Sequence, residues 1–109
     1  MPNSKRKSLE DLVKMTEKVR IQFGGPDWSP EVRTLDLMEE VGELCNAILV
    51  QEGHKHKKRA RAELADSLCD VLYNILLLSS LYKINLEQEY QQMLERLIER
   101  IKNKEFHDD

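Results

Sequence analysis

Glycine, proline, cysteine and aromatic residues are all scarce in this chain. Among its 109 residues there are four glycines, three prolines and two cysteines, and aromatic residues make up 6%. So few turn-forming residues argue against a turn-rich all-β fold, and two cysteines argue against a disulfide-rich scaffold. The core is therefore expected to consist mainly of leucine, isoleucine and valine. Cys45 and Cys69 are expected as small, reduced core residues of an intracellular protein.

The chain also lacks a basic excess and a long apolar run. Seventeen Lys and Arg residues stand against twenty Asp and Glu residues, a net charge of −3 that is unlike a nucleic-acid-binding domain. The N-terminus has no apolar signal core, and the longest apolar stretch, 71–82, is too short to span a bilayer. We therefore expect a cytoplasmic protein with no nucleic-acid or membrane partner.

Helix start and stop signals divide the chain into four segments. Ser8, Ser29 and Asn85 are typical N-cap residues, and Gly24 and Gly53 are typical stops. The expected helices cover about 9–23, 30–51, 59–82 and 86–101. No alternating strand pattern is present. The predicted fold class is all-α, a four-helix antiparallel bundle in a single domain, residues 1–109.

The third predicted helix is apolar around nearly its whole circumference. Its apolar residues include Leu72, Ile75, Leu76 and Leu78, which cover more of the helix surface than three partner helices bury. A helix of this kind needs neighbours on all sides. We therefore expect subunit association, as a homodimer or homotetramer.

Carboxylates form a stripe on each of the two middle helices. Helical spacing aligns one set on the second helix, Asp36, Glu40 and Glu43, and another set on the third, Glu63, Asp66, Asp70 and Asn74. Aligned like charges repel, and burying them unpaired costs several kcal/mol each. Either these faces are solvated or paired with Lys and Arg, or they hold a cation. Oxygen ligands without His or Cys favour Mg²⁺, or Mn²⁺, over Zn²⁺.

The two acidic pairs also carry a family resemblance. Glu40-Val41-Gly42-Glu43, nineteen further residues and Glu63-Leu64-Ala65-Asp66 resemble the ExxE…ExxD signature of the MazG-like all-α nucleoside triphosphate pyrophosphohydrolases. The resemblance extends over roughly Trp28 to Tyr90. It implies a four-helix fold, homo-oligomers, and Mg²⁺-dependent hydrolysis of (deoxy)nucleoside triphosphates to NMP and pyrophosphate, in nucleotide-pool house-cleaning.

The resemblance also implies roles for individual acids. Glu40, Glu43, Glu63 and Asp66 are the expected metal ligands. Asp70 is a further possible ligand, although several relatives carry a non-acidic residue there. Glu43 is the preferred catalytic residue, orienting the attacking water or taking its proton.

Five more residues are candidates for substrate binding. Lys58, Arg59 and Arg61 belong to a basic run that either is a solvated loop or reaches the phosphates. Trp28 either packs on its own helix or stacks on a base. Asn74 contacts sugar or base, or else a carbonyl or another subunit.

Three other functions stay open from the sequence. The helical scaffold also fits a phosphoribosyl-ATP pyrophosphohydrolase, or a non-catalytic helical interaction or regulatory module. Nucleic-acid binding is the weakest of them, because the basic run is short and the remaining surface is acidic. The expectation that we develop below is the nucleoside triphosphate pyrophosphohydrolase.

Overall fold

A computed structural model describes residues 6–54 and 60–104, with the side chains of the third helix described from residue 63 onward. It contains four helices and, within these ranges, no strand. The helices are α1 (Leu9–Phe23), α2 (Pro30–Gln51), α3 (Ala60–Leu81) and α4 (Leu86–Lys102). The predicted all-α class and four-helix fold are confirmed.

Side-chain caps begin three of the helices where the sequence predicts. The Ser8 hydroxyl accepts from the backbone N–H of Asp11 at 3.1 Å, and the Asp11 carboxylate accepts from the backbone N–H of Ser8, which forms a capping box. Ser29 and Asn85 cap α2 and α4 in the same way, each accepting from the backbone three residues later. These bonds satisfy backbone donors that a helix N-terminus otherwise leaves unpaired.

Helices α2 and α3 pack along each other and form the main helix pair of the structure. Helix α1 contacts α3, and α4 contacts the rest of the chain mainly through α1. The buried apolar core within one chain is correspondingly small: Val13, Ala47, Val50, Leu76 and Leu77. One chain therefore leaves much of its apolar surface uncovered.

The uncovered surface includes one face of α3 and most of the apolar stripe of α4. Leu68, Leu72 and Ile75 follow one another along α3 and are exposed, Leu68 at 53%. No residue of α4 is buried. The Cα radius of gyration is 17.6 Å, against about 13 Å for a compact chain of this length. A single subunit is thus less compact than a chain of this length that completes its own core.

Both cysteines differ from their expected positions. Cys45 and Cys69 were predicted in the core, but both are exposed in the single chain. Within the part of the chain that the structure describes, no other element covers these two positions. Helical periodicity identifies an apolar face without saying which element covers it.

Helix α3 is the longest apolar segment of the structure. Residues Glu63–Leu81 are long and apolar enough to cross a membrane, by length and composition only. Core helices of soluble proteins meet the same criterion, so this helix does not indicate a membrane protein.

Candidate functional site

A cleft of about 510 Å³ lies where α2 and α3 meet the turn that follows α1. Acids of both central helices form one wall, and the Gly24-Gly25-Pro26 turn forms the other. The polar and aromatic side chains that line it are Arg20, Phe23, Trp28, Arg33, Asp36, Glu40, Asp70, Tyr73 and Asn74. The cleft therefore combines carboxylates, cationic groups and aromatic rings in a volume typical of ligand sites.

Glu40 is the acid with the most unusual environment in the cleft. Its Oε1 atom is buried and has no hydrogen-bond partner within the described part of the chain. Burial raises the pKa of this carboxyl above its ordinary value of 4.5, and the neighbouring charges of Asp70, Glu43 and Asp36 raise it further. A carboxylate placed in this way has a strong electrostatic preference for a nearby cation.

A buried hydrogen-bond chain joins α2 to α3 beside Glu40. Arg33 Nη1 donates to Asn74 Oδ1 at 3.0 Å, and Asn74 Nδ2 donates to Asp36 Oδ2 at 2.9 Å. A longer bond of 3.3 Å runs from the same Nδ2 to the backbone carbonyl of Asp70. Because Asn74 is only 1% exposed and Arg33 7% exposed, the two side chains fix each other and the Asp36 carboxylate.

Arg33 also holds the tryptophan that lines the cleft. Its guanidinium carbon lies 4.6 Å from the centroid of the Trp28 ring, a cation–π geometry. Trp28 nevertheless remains 45% exposed. An aromatic surface therefore stays available to a ligand in the cleft.

Arg20 closes the turn between α1 and α2. Its guanidinium donates to the Gly24 carbonyl at 3.1 Å and forms an ion pair with Asp27. Gly24 and Gly25 have φ of 79° and 77°, a region that other residues rarely adopt. The Gly-Gly pair thus lets the chain turn sharply, and Arg20 holds this turn against the cleft.

A smaller cavity of about 250 Å³ adjoins the cleft between α1 and the C-terminal half of α3. Arg20, Trp28 and Arg33 line both spaces. The other walls of the smaller cavity are Glu17, Ile21, Asp27, Leu77, Ser80 and Leu81. Within it, the Ser80 hydroxyl donates to Glu17 Oε2.

The predicted site residues fall into two groups in the structure. Glu40, Asp70, Trp28 and Asn74 line the cleft. The other predicted ligands do not line it: Glu43 and Asp66 are exposed and Glu63 is half-buried. In this conformation, no three acidic, histidine or cysteine side chains among the described residues converge closely enough to hold a metal ion. Their roles as ligands stay predictions.

Three predicted substrate contacts lie in a part of the chain that the structure does not describe. Lys58 and Arg59 fall within 55–59, and the side chain of Arg61 is likewise outside the described part.

Sequence reasoning missed Arg33, which anchors the site. A signal for it exists: Arg33, Asp36, Glu40 and Glu43 follow each other at helical spacings of three, four and three residues. Arg33 therefore lies on the acidic stripe itself. A cation at the end of a row of acids is the residue most able to organise them.

Comparison with known proteins identifies the family. Residues 29–104 match the model of the MazG nucleotide pyrophosphohydrolase domain. The chain belongs to this family. The predicted family membership is thus confirmed, and it supports an activity on the pyrophosphate bonds of nucleotides.

This MazG-domain chain is also similar to two individual proteins. It is 30% identical over 103 residues to YvdC, an uncharacterized protein of Bacillus subtilis (strain 168), covering 87% of this chain and 97% of YvdC. The crystal structure of YPJD from Bacillus subtilis, a candidate pyrophosphatase, superposes with a TM-score of 0.72 at 24% identity. That match covers 86% of this chain and 96% of YPJD, and it supports the fold.

Proposed function

We propose that this chain is a divalent-metal-dependent nucleotide pyrophosphohydrolase that converts (deoxy)nucleoside triphosphates to NMP and pyrophosphate, in nucleotide-pool house-cleaning. The observation that carries the proposal is the buried Oε1 of Glu40, which has no hydrogen-bond partner among the described residues and lies beside Asp36 and Asp70 in an open cleft. An unpaired acid in a partly desolvated position costs stability unless a cation compensates it. Family membership supplies the reaction class in which such a cation is used.

The residues present suit Mg²⁺, with Mn²⁺ as an alternative. Their donor atoms are carboxylate oxygens, which are the ligands that hard divalent cations prefer. Glu40 would be a ligand from within the cleft, and Glu43, Glu63 and Asp66 remain the ligands implied by the family motif. Asp70 lines the cleft opposite α2 and would be a further ligand. Mg²⁺ usually takes only one or two carboxylates and completes its shell with water and phosphate oxygens.

The chemistry requires no side-chain nucleophile. A bound divalent ion would supply charge neutralisation at the triphosphate and an acidified water. Glu43 lies on the same stripe as Glu40, and as an exposed carboxylate it would orient the attacking water and accept its proton. Water attacks the α-phosphorus, the bond to the β-phosphate oxygen breaks, and pyrophosphate leaves.

Two predicted substrate residues receive different roles in the proposal. Trp28, with its exposed ring in the cleft, would stack on the base. Both polar atoms of the Asn74 amide make hydrogen bonds within the chain. We therefore propose that Asn74 holds Asp36 in place beside Glu40 and does not contact the substrate. Lys58, Arg59 and Arg61 remain candidates for the phosphates.

The proposal includes an assembled protein. The uncovered apolar faces of α3 and α4 support a homodimer or homotetramer of single-domain subunits spanning 1–109. The family's reaction on free nucleotides agrees with a cytoplasmic protein with no nucleic-acid or membrane partner.

The test is a product assay over canonical and modified nucleoside triphosphates with Mg²⁺ or Mn²⁺. We expect NMP and pyrophosphate, and no turnover with EDTA. Orthophosphate and NDP as products would overturn the proposed bond cleavage. Phosphoribosyl-ATP in the same panel separates the related pyrophosphohydrolase. A chain that hydrolyses nothing and binds neither metal with or without nucleotide would be a non-catalytic module.

A further inference from the structure

Helix α4 is the most amphipathic of the four helices, and none of its residues, Leu86–Lys102, is buried within the described chain. Helical spacing places six apolar side chains in one row along it. The members of this apolar row are Leu86, Tyr90, Met93, Leu94, Leu97 and Ile101. Tyr90 is 52% exposed and Ile101 is 54% exposed, so the row faces solvent over most of its length. A continuous apolar row of this kind is typical of a helix that packs on a partner.

Helix α1 holds α4 from one flank of the apolar row. Glu87 Oε1 accepts from the backbone N–H of Glu10, in the first turn of α1, at 2.8 Å. Helical spacing places Glu89, Arg96 and Arg100 on the opposite flank of the row, and all three are exposed. We call this second side the charged flank. The α1 contact therefore leaves the row and the charged flank open to a partner.

The charged flank carries opposite charges at its two ends, with Glu89 near the start of α4 and Arg96 and Arg100 near its end. A twofold axis that brings two apolar rows together antiparallel also places each charged flank against the same flank of the other copy. With the rows aligned about their middle, Tyr90 meets Leu97 of the second copy. Glu89 then falls between Arg96 and Arg100 of the second copy, and the same contacts recur at the other end.

A parallel pair would lose this complementarity. Its symmetry places the charged flank of one copy against the opposite flank of the other, with equal positions side by side. Glu89 would then lie next to Glu87 of the second copy, and like charges repel. Arg96 and Arg100 would lie next to Ile98 of the second copy, which offers no charge. The charge pattern therefore favours the antiparallel pair at both ends.

We infer that α4 is a docking surface for a second copy of this chain, with the two α4 helices packed antiparallel. The two apolar rows cover each other, and Glu89 pairs with Arg96 and Arg100 of the second copy. This interface lies on a different helix from the exposed face of α3 and goes beyond the proposed reaction. Because each surface pairs with its own copy, the two together extend a dimer to a homotetramer.

Charge exchange tests the pairing. Arg96→Glu combined with Arg100→Glu places acids against Glu89 of the second copy. In sedimentation over a dilution series, the concentration at which the assembly half-dissociates should rise at least about tenfold. Adding Glu89→Arg to this variant makes the charges opposite again and should return the concentration to the wild-type value. Glu99→Arg reverses an exposed charge on the side of α4 away from the row, and this matched control should not shift it.

Disulfide cross-linking tests the orientation with the charged flank unchanged. Chains carrying Tyr90→Cys are mixed with chains carrying Leu97→Cys, both with Cys45→Ser and Cys69→Ser, and the products are identified by mass. We expect the mixed disulfide to be the main product. Two copies of position 90 in an antiparallel pair are offset by about 10 Å along the helix axis, too far for a disulfide.

Three results would overturn the inference. They are wild-type association of the variant Arg96→Glu with Arg100→Glu, no recovery on adding Glu89→Arg, and a mixed disulfide that is absent or is outweighed by Tyr90→Cys chains linked to each other. Neither measurement uses turnover, nucleotide or metal. The docking surface and the pyrophosphohydrolase are therefore tested separately, and either can fail while the other stands.

Discussion

Arg33 on α2 donates to the side-chain carbonyl of Asn74 on α3, 41 residues later, at 3.0 Å. Both side chains are buried, and the amide nitrogen of Asn74 donates a further hydrogen bond to the Asp36 carboxylate. One asparagine therefore joins a buried cation to an acid of the cleft. This link holds the acidic faces of the two helices in a fixed register.

Removing the link should destabilise the protein. Asn74→Ala deletes all three hydrogen bonds of this side chain and leaves the buried Arg33 guanidinium without its amide acceptor. We therefore expect a loss of about 2–4 kcal/mol in the free energy of unfolding. Urea unfolding without metal measures it. Gln92→Ala, on the exposed surface of α4, is the control and should change stability by no more than about 0.5 kcal/mol. Wild-type stability in Asn74→Ala would show that the link is not structural.

Unlike Asn74, the Glu40 carboxylate should lower the free energy of unfolding of the metal-free protein. Its buried Oε1 has no hydrogen-bond partner within residues 6–54 and 60–104, so Glu40→Gln should raise the free energy of unfolding at pH 7 in EDTA by about 1 kcal/mol. Added Mg²⁺ should reverse the order, because wild type gains stability from binding and the variant gains little. A less stable Glu40→Gln in EDTA would indicate that the carboxylate has a stabilising partner.

The pH dependence of that difference has a definite sign. The pKa of Glu40 is raised in the folded chain, mainly by burial and then by Asp70, Glu43 and Asp36. Wild type therefore has its highest free energy of unfolding, relative to Glu40→Gln, below the pKa that Glu40 has in the unfolded chain. This relative stability is lost as pH rises through the pKa of Glu40 in the folded chain. Unfolding curves of both proteins in EDTA, from roughly pH 4 to pH 8, should diverge with rising pH. A constant difference across this range would contradict the raised pKa.

Asp66 tests the motif separately from the cleft. It is exposed, so Asp66→Asn should leave the free energy of unfolding in EDTA within about 0.5 kcal/mol of wild type. As a metal ligand it should nevertheless reduce pyrophosphate release by about 100-fold or more. Glu39→Gln, an exposed acid next to the first motif, should keep its activity. Full activity of Asp66→Asn would exclude this residue as a ligand.

The helices and the acidic stripes were predictable because their signals are local. The caps Ser8, Ser29 and Asn85 define helix starts within a few residues, and helical spacing alone places Glu40 and Asp70 on polar faces. The pairing of Arg33 with Asn74 was not predictable, because it depends on how far two helices are shifted along each other. Sequence also could not show that Glu17 and Ser80 share a cavity, since they lie 63 residues apart.

The last prediction concerns the uncovered apolar face of α3. Leu68, Leu72 and Ile75 are exposed in the single chain, and a contiguous apolar surface of this kind is typical of a subunit interface. In sedimentation at micromolar concentration, wild type should therefore be larger than a 12.8 kDa monomer. Leu72→Glu should dissociate it, because a charge buried in the interface costs several kcal/mol. Gln92→Glu, on the exposed surface of α4, is the control. A wild-type monomer, or an intact Leu72→Glu assembly, would show that this face is not the interface.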